Sequence, residues 1–306
     1  MESSDVIMPG KTARPRVTEN ITMKDHTMKL LRYFTMIAAA TTSLSVTGCG
    51  GSSSNPSGFS GDTFLVMGDS RSGDAIYKTI VNTIASSFSS SDCLVHTGDM
   101  IVTPGKRKQW TSFMDITAPV AAVMPWYGVV GNHDVDSIVS QQMYQDVMNL
   151  PGNELYYSFD RLNCHFIVLD TMIPGQEWGI TGAQLAWLRN DLEAYAASAQ
   201  YLFVFTHRTL FPQGSKAGLN LSNADELHQL FQQHGVNMVF SGDEHEYYTY
   251  KRDSITYVVT GGGGAPLATG GFNHFLVVEL LPPGSILIHV MDVNGNPLQT
   301  ASVSNM

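Results

Sequence analysis

The sequence predicts an α/β fold in which two mixed β-sheets face each other and helices flank them. Short apolar runs alternate with helical patterns from residue 63 onward, which is typical of strands joined by helices. The last runs, at 255–260, 274–281 and 285–291, have little helical sequence between them and indicate hairpins. Early alternation followed by late hairpins therefore predicts an α/β sandwich.

The strand candidates are short apolar runs, several of which end at a glycine or at an aspartate. They lie at 63–68, 94–98, 126–131, 155–159, 165–170, 201–206, 236–241, 255–260, 274–281 and 285–291. The sequence has no internal repeat, and no composition change marks a second domain. We therefore expect residues 63–306 to form a single domain.

Three helices are predicted between the strands. Two of them have apolar stripes at helical spacing, formed by Ile76, Ile80, Ile84 and Phe88 and by Leu185, Leu188, Leu192 and Tyr195. Thr181 and Gln184 precede the second stripe at the spacing of a capping box. The third helix is expected over 222–233 and is ended by Gly235.

The composition excludes two classes of protein. Of the 306 residues, 43% are hydrophobic and 14% are charged, so the chain can bury a core and global disorder is excluded. Residues 49–306 carry 11 basic and 23 acidic side chains, a net charge of -12. A dedicated nucleic-acid binder should be basic, so no nucleic-acid partner is expected. A small phosphorylated substrate remains compatible, because bound metal cations can dominate the local field.

The first 62 residues are predicted to be an export signal and a tether. From Met28, a basic start is followed by a mostly apolar stretch of 14 residues at 33–46, too short to span a membrane. It ends in Val46-Thr47-Gly48-Cys49, which resembles the lipobox of bacterial lipoproteins. We expect 1–27 to be a start-site artefact or untranslated extension, 28–48 a signal peptide, and 49–62 a flexible Gly/Ser tether.

This interpretation implies that Cys49 carries a lipid. The protein would then be exported and anchored to a bacterial membrane, periplasmic or at the cell surface, with the lipid as its membrane contact. The alternative is an ordinary amphipathic N-terminal helix in which the cysteine occurs by chance.

Metal-capable residues recur at the carboxyl ends of five apolar runs. These segments read Gly68-Asp69-Ser70-Arg71, Gly98-Asp99, Gly131-Asn132-His133-Asp134, Thr206-His207-Arg208 and Ser241-Gly242-Asp243-Glu244-His245. Sites in α/β sheets form beyond the carboxyl ends of strands, so we expect the five loops to converge. Aspartate, asparagine and histidine supply the oxygen and imidazole ligands that suit Mn, Fe and Zn. One such fragment is weak evidence, whereas five in order are strong.

These motifs resemble those of the calcineurin-like metallophosphoesterases, in particular the branch near the purple acid phosphatases. The resemblance covers residues 64–292 and rests on GNHD, HTGD, THRTLFP, SGDEHEYY and VVTGGGGAPL. It implies a metallophosphoesterase sandwich. It also implies hydrolysis of phosphomonoesters or phosphodiesters by two metal ions about 3.5–4 Å apart that share a bridging carboxylate.

Carried over position by position, the resemblance implies a role for each residue of the five segments. Asp69 and His245 would bind the first metal, Asp99 would bridge both metals, and the second metal would be bound by Asn132, His207 and Asp243. A hydroxide activated by the metals would attack phosphorus. His133 would protonate the leaving oxygen as general acid, and its ring would be oriented by a hydrogen bond that it donates to Asp134.

Three positions depart from the family pattern. Arg71 stands where the family commonly has a histidine ligand, and arginine stays protonated and cannot bind a metal. Val102 stands where purple acid phosphatases have a tyrosine ligand. Asp243 replaces a histidine, and its harder oxygen favours Mn or Mg. The first metal would thus keep Asp69, Asp99 and His245, and Arg71 could instead bind a phosphate oxygen.

Two functions follow from this pattern. The first is a metal-dependent hydrolase of phosphoric esters, monoester or diester, with two divalent or trivalent ions drawn from Mn, Fe and Zn. The alternative is a catalytically impaired phosphate-binding module on the same fold. GNHD favours catalysis, since His133 has a chemical role, whereas Arg71 and Asp243 favour the module. A serine hydrolase is excluded, because the chain has no Gly-x-Ser-x-Gly motif.

Cys49→Ser tests the lipid anchor. Without the thiol no lipid is added, and we expect an unprocessed protein that keeps its signal and lacks the mass of the lipid. Intact-mass measurement reports both effects. A mature wild-type protein whose mass contains no lipid would contradict the interpretation.

Overall fold

The computed structural model describes residues 58–282 and 284–304 of the chain. The predicted extension, signal peptide and Cys49 lie outside the described residues, as do residues 49–57 of the predicted tether. No helix among the described residues has the length and apolar character needed to cross a membrane.

The first of two six-stranded sheets has the strand order β12-β11-β10-β1-β2-β3. The strands are β1 (Asp62–Met67), β2 (Leu94–His96), β3 (Trp126–Gly128), β10 (Phe275–Leu281), β11 (Ser285–Met291) and β12 (Pro297–Ser304). β1, β2 and β3 are parallel, whereas β10, β11 and β12 form an antiparallel meander that pairs with β1. The sheet is therefore mixed.

The second sheet has the order β4-β5-β6-β7-β9-β8. Its strands are β4 (Tyr157–Arg161), β5 (Cys164–Val168), β6 (Tyr201–Thr206), β7 (Met238–Ser241), β8 (Tyr247–Arg252) and β9 (Ile255–Thr260). The four central strands are parallel, and the edge strands β4 and β8 are antiparallel to their neighbours.

The sheets face each other across an aromatic core. The Phe64 ring of the first sheet lies 5.1 Å from Phe166 and 5.0 Å from Phe203 of the second, centroid to centroid. Five helices cover the outer faces: α1 (Asp74–Ser87), α2 (Arg107–Ala121), α3 (Ile138–Val147), α4 (Gly182–Tyr195) and α5 (Ala224–Gln233). The predicted sandwich of two mixed sheets flanked by helices is confirmed.

Two helices and two strands were not predicted from the sequence. α2 buries Trp110, Phe113 and Val120 on one face, but Thr117 and Pro119 interrupt its apolar pattern, and α3 buries only Ser140 and Tyr144. β8 is a half-exposed edge strand with the sequence YYTYKR, and β12 follows a turn near the C-terminus. Such elements are stabilised by pairing and packing partners that are distant in the chain.

Two local predictions differ from the structure. The Gln184 side chain does not close a capping box; it accepts a bond from the Asp170 amide at 2.7 Å and donates to the Asp170 carbonyl at 2.8 Å. The end of the tether belongs to the fold, since the Ser60 and Gly61 amides donate to Glu279 at 2.7 and 3.0 Å. In both places a buried polar side chain, Gln184 or Glu279, forms hydrogen bonds with backbone groups of residues outside its own helix or strand.

His165 joins the second sheet to α4 through a buried ion pair. Its Nδ1 lies 2.6 Å from Asp160 and its Nε2 2.8 Å from Asp191, while its ring stacks on Tyr195. Burial lowers the pKa of His165, but the hydrogen bonds to the two carboxylates outweigh burial, so the pKa is raised above 6.5.

This ion pair predicts a pH-dependent stability. A raised folded-state pKa means that the contribution is fully present below pH 6.5 and is lost as the pH rises through the folded-state value. His165→Gln should therefore lower the free energy of unfolding by roughly 1–3 kcal/mol at low pH and by less at high pH. Urea unfolding at pH 5.5 to 9 measures this difference, and a loss that does not change with pH would contradict it. His234→Gln, at the end of α5, is the matched control.

Candidate metal centre

The five predicted loops converge where the parallel strands of both sheets end. His207 directly follows β6 of the second sheet, and its ring reaches across to the first sheet. Its Nδ1 donates to the Thr97 carbonyl at 2.9 Å, and its Nε2 lies 3.3 Å from Asp99 Oδ1. Both partners follow β2, so the carboxyl ends of the two sheets meet at this place.

The three aspartates at the centre share an unusual backbone conformation. Asp69, Asp99 and Asp243 have φ angles of 57°, 58° and 67°, the left-handed region that few non-glycine residues adopt. Each lies just past the end of a strand, where this turn directs the carboxylate into the site. Such strain persists when the surrounding structure compensates for it, and it is concentrated at functional sites.

Gly98 and Gly131 allow the loops to approach each other. A Cβ on Gly131 would lie 2.1 Å from the Asp99 amide nitrogen, and a Cβ on Gly98 would lie 2.7 Å from His207 Nδ1. Gly98 also has a φ of 99°, which favours glycine. The glycines of the motifs are thus required because backbone and ligand atoms approach at these positions.

Asp69, Asp99 and His245 form a first group of possible metal ligands. Their ligand atoms all lie within 4.8 Å of one another. His245 Nδ1 donates to the Pro266 carbonyl at 2.6 Å, which leaves Nε2 as the atom that faces Asp69 Oδ1 at 3.5 Å. A histidine whose second nitrogen is held in this way is oriented for metal binding.

A second group surrounds His207 Nε2. This atom lies 3.1 Å from Asn132 Oδ1, 3.3 Å from Asp99 Oδ1 and 3.4 Å from Asp243 Oδ1. Because Nδ1 is occupied by the Thr97 carbonyl, Nε2 is the free ligand atom. Asp99 belongs to both groups, and the donor set of oxygens and imidazoles fits two metal ions that share one carboxylate.

Three basic side chains contact the carboxylates of these groups, and one of them, Arg208, has its Nη1 3.8 Å from Asp243 Oδ2. Arg71 Nε donates to Asp99 Oδ2 at 2.9 Å, and its Nη2 lies 3.5 Å from His245 Nε2. Lys216 Nζ donates to Asp243 Oδ1 at 2.6 Å. Lys216 was not predicted from the sequence, because it lies in a loop with no motif of its own. Its ammonium partly neutralises the charge of the Asp243 carboxylate.

The prediction that the His133 ring donates a hydrogen bond to Asp134 is wrong. Asp134 is fully buried and accepts four backbone bonds, from Asp99, Met100, Ile101 and Gly131, at 2.9 to 3.2 Å. His133 Nδ1 instead donates to the Val102 carbonyl at 2.7 Å. Asp134 therefore shapes the loop that carries Asp99, and a backbone carbonyl orients the His133 ring.

The pKa values reflect the crowding of carboxylates at the centre. Burial raises the pKa of Asp134 to about 7, and the Asp99 charge adds to that rise. Burial lowers the pKa of His207, but Asp99 and Asp243 outweigh it and raise the value to about 10. Burial likewise raises the pKa of Asp69. The site thus has a strong preference for positive charge.

Comparison with known proteins finds a sequence relative that covers half of this chain and solved structures that cover about four fifths of it. The curated purple acid phosphatase 23 of Arabidopsis thaliana is 28% identical over 174 residues, 51% of this chain and 37% of the relative. The chain therefore spans well under two thirds of that relative. A purple acid phosphatase structure from yellow lupin (Lupinus luteus) has a TM-score of 0.67 at 19% identity, covering 81% of this chain and 55% of that one.

A second solved structure, GAP50 of Plasmodium, described as the anchor in the inner membrane complex, has a TM-score of 0.63 at 15% identity. It covers 80% of this chain and 89% of that one. The family model for calcineurin-like phosphoesterases matches residues 62–247, which include the convergent loops of both sheets. This chain belongs to the calcineurin-like phosphoesterase family.

Proposed function

We propose that the protein hydrolyses phosphoric esters with two bound divalent or trivalent metal ions. The observation that carries the proposal is the position of Asp99 between the two ligand groups. One group consists of Asp69, Asp99 and His245, and the other surrounds His207 Nε2 with Asp99 Oδ1 at 3.3 Å. A carboxylate shared by two groups is what a two-metal hydrolase requires.

The donor atoms indicate which ions would suit the site. Asp69, Asp99, Asp243 and the Asn132 amide supply oxygen, and two histidines supply nitrogen, a set compatible with Mn, Fe or Zn. Bound ions would supply charge that neutralises the phosphate oxygens and lowers the pKa of a coordinated water. Because most of these ligand atoms are hard oxygens, the set favours Mn among the three ions.

His133 is the proposed general acid. Its Nδ1 proton is donated to the Val102 carbonyl, so Nε2 is the atom left to give a proton to the leaving oxygen. Its backbone amide donates to Asp99 Oδ1 at 2.9 Å, which ties the backbone of His133 to the shared carboxylate. Both contacts hold His133 beside the metal ligands.

A phosphate-binding module without turnover is the second candidate. It is favoured by Arg71, whose guanidinium bonds to Asp99 Oδ2 on the side of the first group. A fixed positive charge there opposes a metal ion in the same group. Phosphate release from aryl monoesters and diesters, with Mn, Fe, Zn and Mg supplied in turn, separates the two. Metal and phosphate binding without turnover on any ester would establish the module.

The proposed setting is outside the cytoplasm, with the protein anchored by the lipid on Cys49. Its substrate would be a small phosphorylated molecule, because the acidic chain disfavours nucleic acid. The sequence pattern of 28–49 supports this setting.

His133→Ala tests the general acid. The ligand groups remain, so we expect unchanged metal content and a rate lower by about a hundredfold or more on alkyl phosphates. The loss should be smaller on nitrophenyl phosphate, whose leaving group needs little protonation. Steady-state rates on the two esters measure this, with Asp99→Asn as the variant expected to lose metal as well. Equal losses on both esters would rule out His133 as the acid.

Lys216→Met tests the charge balance of the second group. The ammonium bonds to a proposed ligand oxygen and repels a cation there, so its removal should tighten manganese binding by about tenfold. Calorimetric titration measures the affinity, and Lys251→Met, exposed on β8, is the matched control. Unchanged or weaker binding would show that Lys216 does not oppose the metal.

A further inference from the structure

A cavity of about 420 Å³ lies beside the metal centre, between the loop after β1, the loop after β2, and the helices α1 and α2. Its volume falls within the range of small-molecule pockets, about 300–1,000 Å³. Arg71 and Val102 line it on the side of the centre, and Lys108 lines it from α2. None of the roles assigned above uses this space.

Two residues that line the cavity contact groups that would act on a phosphate ester. Arg71 both lines the cavity and bonds to Asp99 Oδ2. Val102 lines it as well, and its carbonyl orients the His133 ring. A general acid must lie within hydrogen-bond reach of the leaving oxygen. The organic part of the ester, attached to that oxygen, would therefore lie on the His133 side, towards Val102 and the cavity that it lines.

The lining divides into an apolar floor and a polar rim. Met100, Ile101 and Phe113 are buried and form part of the floor, against which an aliphatic or aromatic body can pack. At the rim lies Lys108, for which the described residues include no ion-pair partner. Among the described residues, Asp74 is the only carboxylate that lines the cavity.

We propose that this cavity binds the leaving group of the ester and that Lys108 selects leaving groups with an anionic substituent. The preferred substrates would be phosphate esters of small hydroxylated acids, with an apolar body and a carboxylate or second phosphate at the far end. This assignment rests on the proposed phosphoesterase function. It makes Lys108 a specificity residue, with no part in metal binding.

The test uses phosphonates, which are not hydrolysed, so that binding is read independently of turnover. Calorimetry compares benzylphosphonate with 4-carboxybenzylphosphonate, a pair that differs by one carboxylate, on the metal-loaded full chain. We expect wild type to bind the carboxylate compound roughly five- to tenfold more tightly. Lys108→Gln should remove that preference, and Lys78→Gln, exposed on α1 outside the cavity, should retain it.

A second variant tests whether the ligand occupies the cavity, by filling the cavity without changing its charge. Ser112 lines the cavity from α2 and is exposed, so Ser112→Trp should fill the space without disturbing the core. The substitution should lower the affinity for both phosphonates by at least tenfold. The affinity for inorganic phosphate should not change, because phosphate has no organic part.

The outcomes separate the two proposals. Equal affinity of wild type for the two phosphonates, a preference that survives Lys108→Gln, or tight binding of both by Ser112→Trp would each overturn the cavity assignment. The predicted phosphonate pattern without hydrolysis of any ester would support the cavity and overturn the proposed function.

Discussion

The burial of several carboxylates at one edge of the fold is the constraint on which the rest of the centre depends. Asp69, Asp99, Asp134 and Asp243 are each 6% exposed or less and belong to loops that contact one another. Like charges this close would repel strongly in a dry environment. Arg71 and Lys216 donate to two of these carboxylates, and backbone amides donate to Asp134. The ligand atoms are also arranged so that metal cations could neutralise the remaining negative charge.

This compensation explains why the loops have their observed conformations. The left-handed aspartates direct carboxylates inward, and glycine at 98 and 131 lets the chains come close enough for amides to reach them. The two sheets then act as one support, because ligands from β2 and β6 meet at His207. Chemistry at this edge requires both sheets to remain packed on the aromatic core around Phe64.

The sequence was most informative where side-chain type and position carried the information. The five loops could be found because glycine and metal-capable residues follow apolar runs. Lys216 could not, since its partner Asp243 is 27 residues away and its loop has no recurring pattern. The roles of the Val102 and Pro266 carbonyls could not be predicted either, because every residue type has a backbone carbonyl. For the same reason Asp134 was assigned to the His133 ring and not to the amides around it.

The three histidine rings of the centre are all oriented by main-chain carbonyls, of Thr97, Val102 and Pro266. Every amino acid has such a carbonyl, so substitution at these three positions leaves the acceptor in place as long as the loop keeps its path. The protonation of His207, His133 and His245 at Nδ1 is therefore expected to persist when the side chains at these three positions are substituted. The side chain at 102 can therefore change while the carbonyl at that position keeps the His133 imidazole oriented.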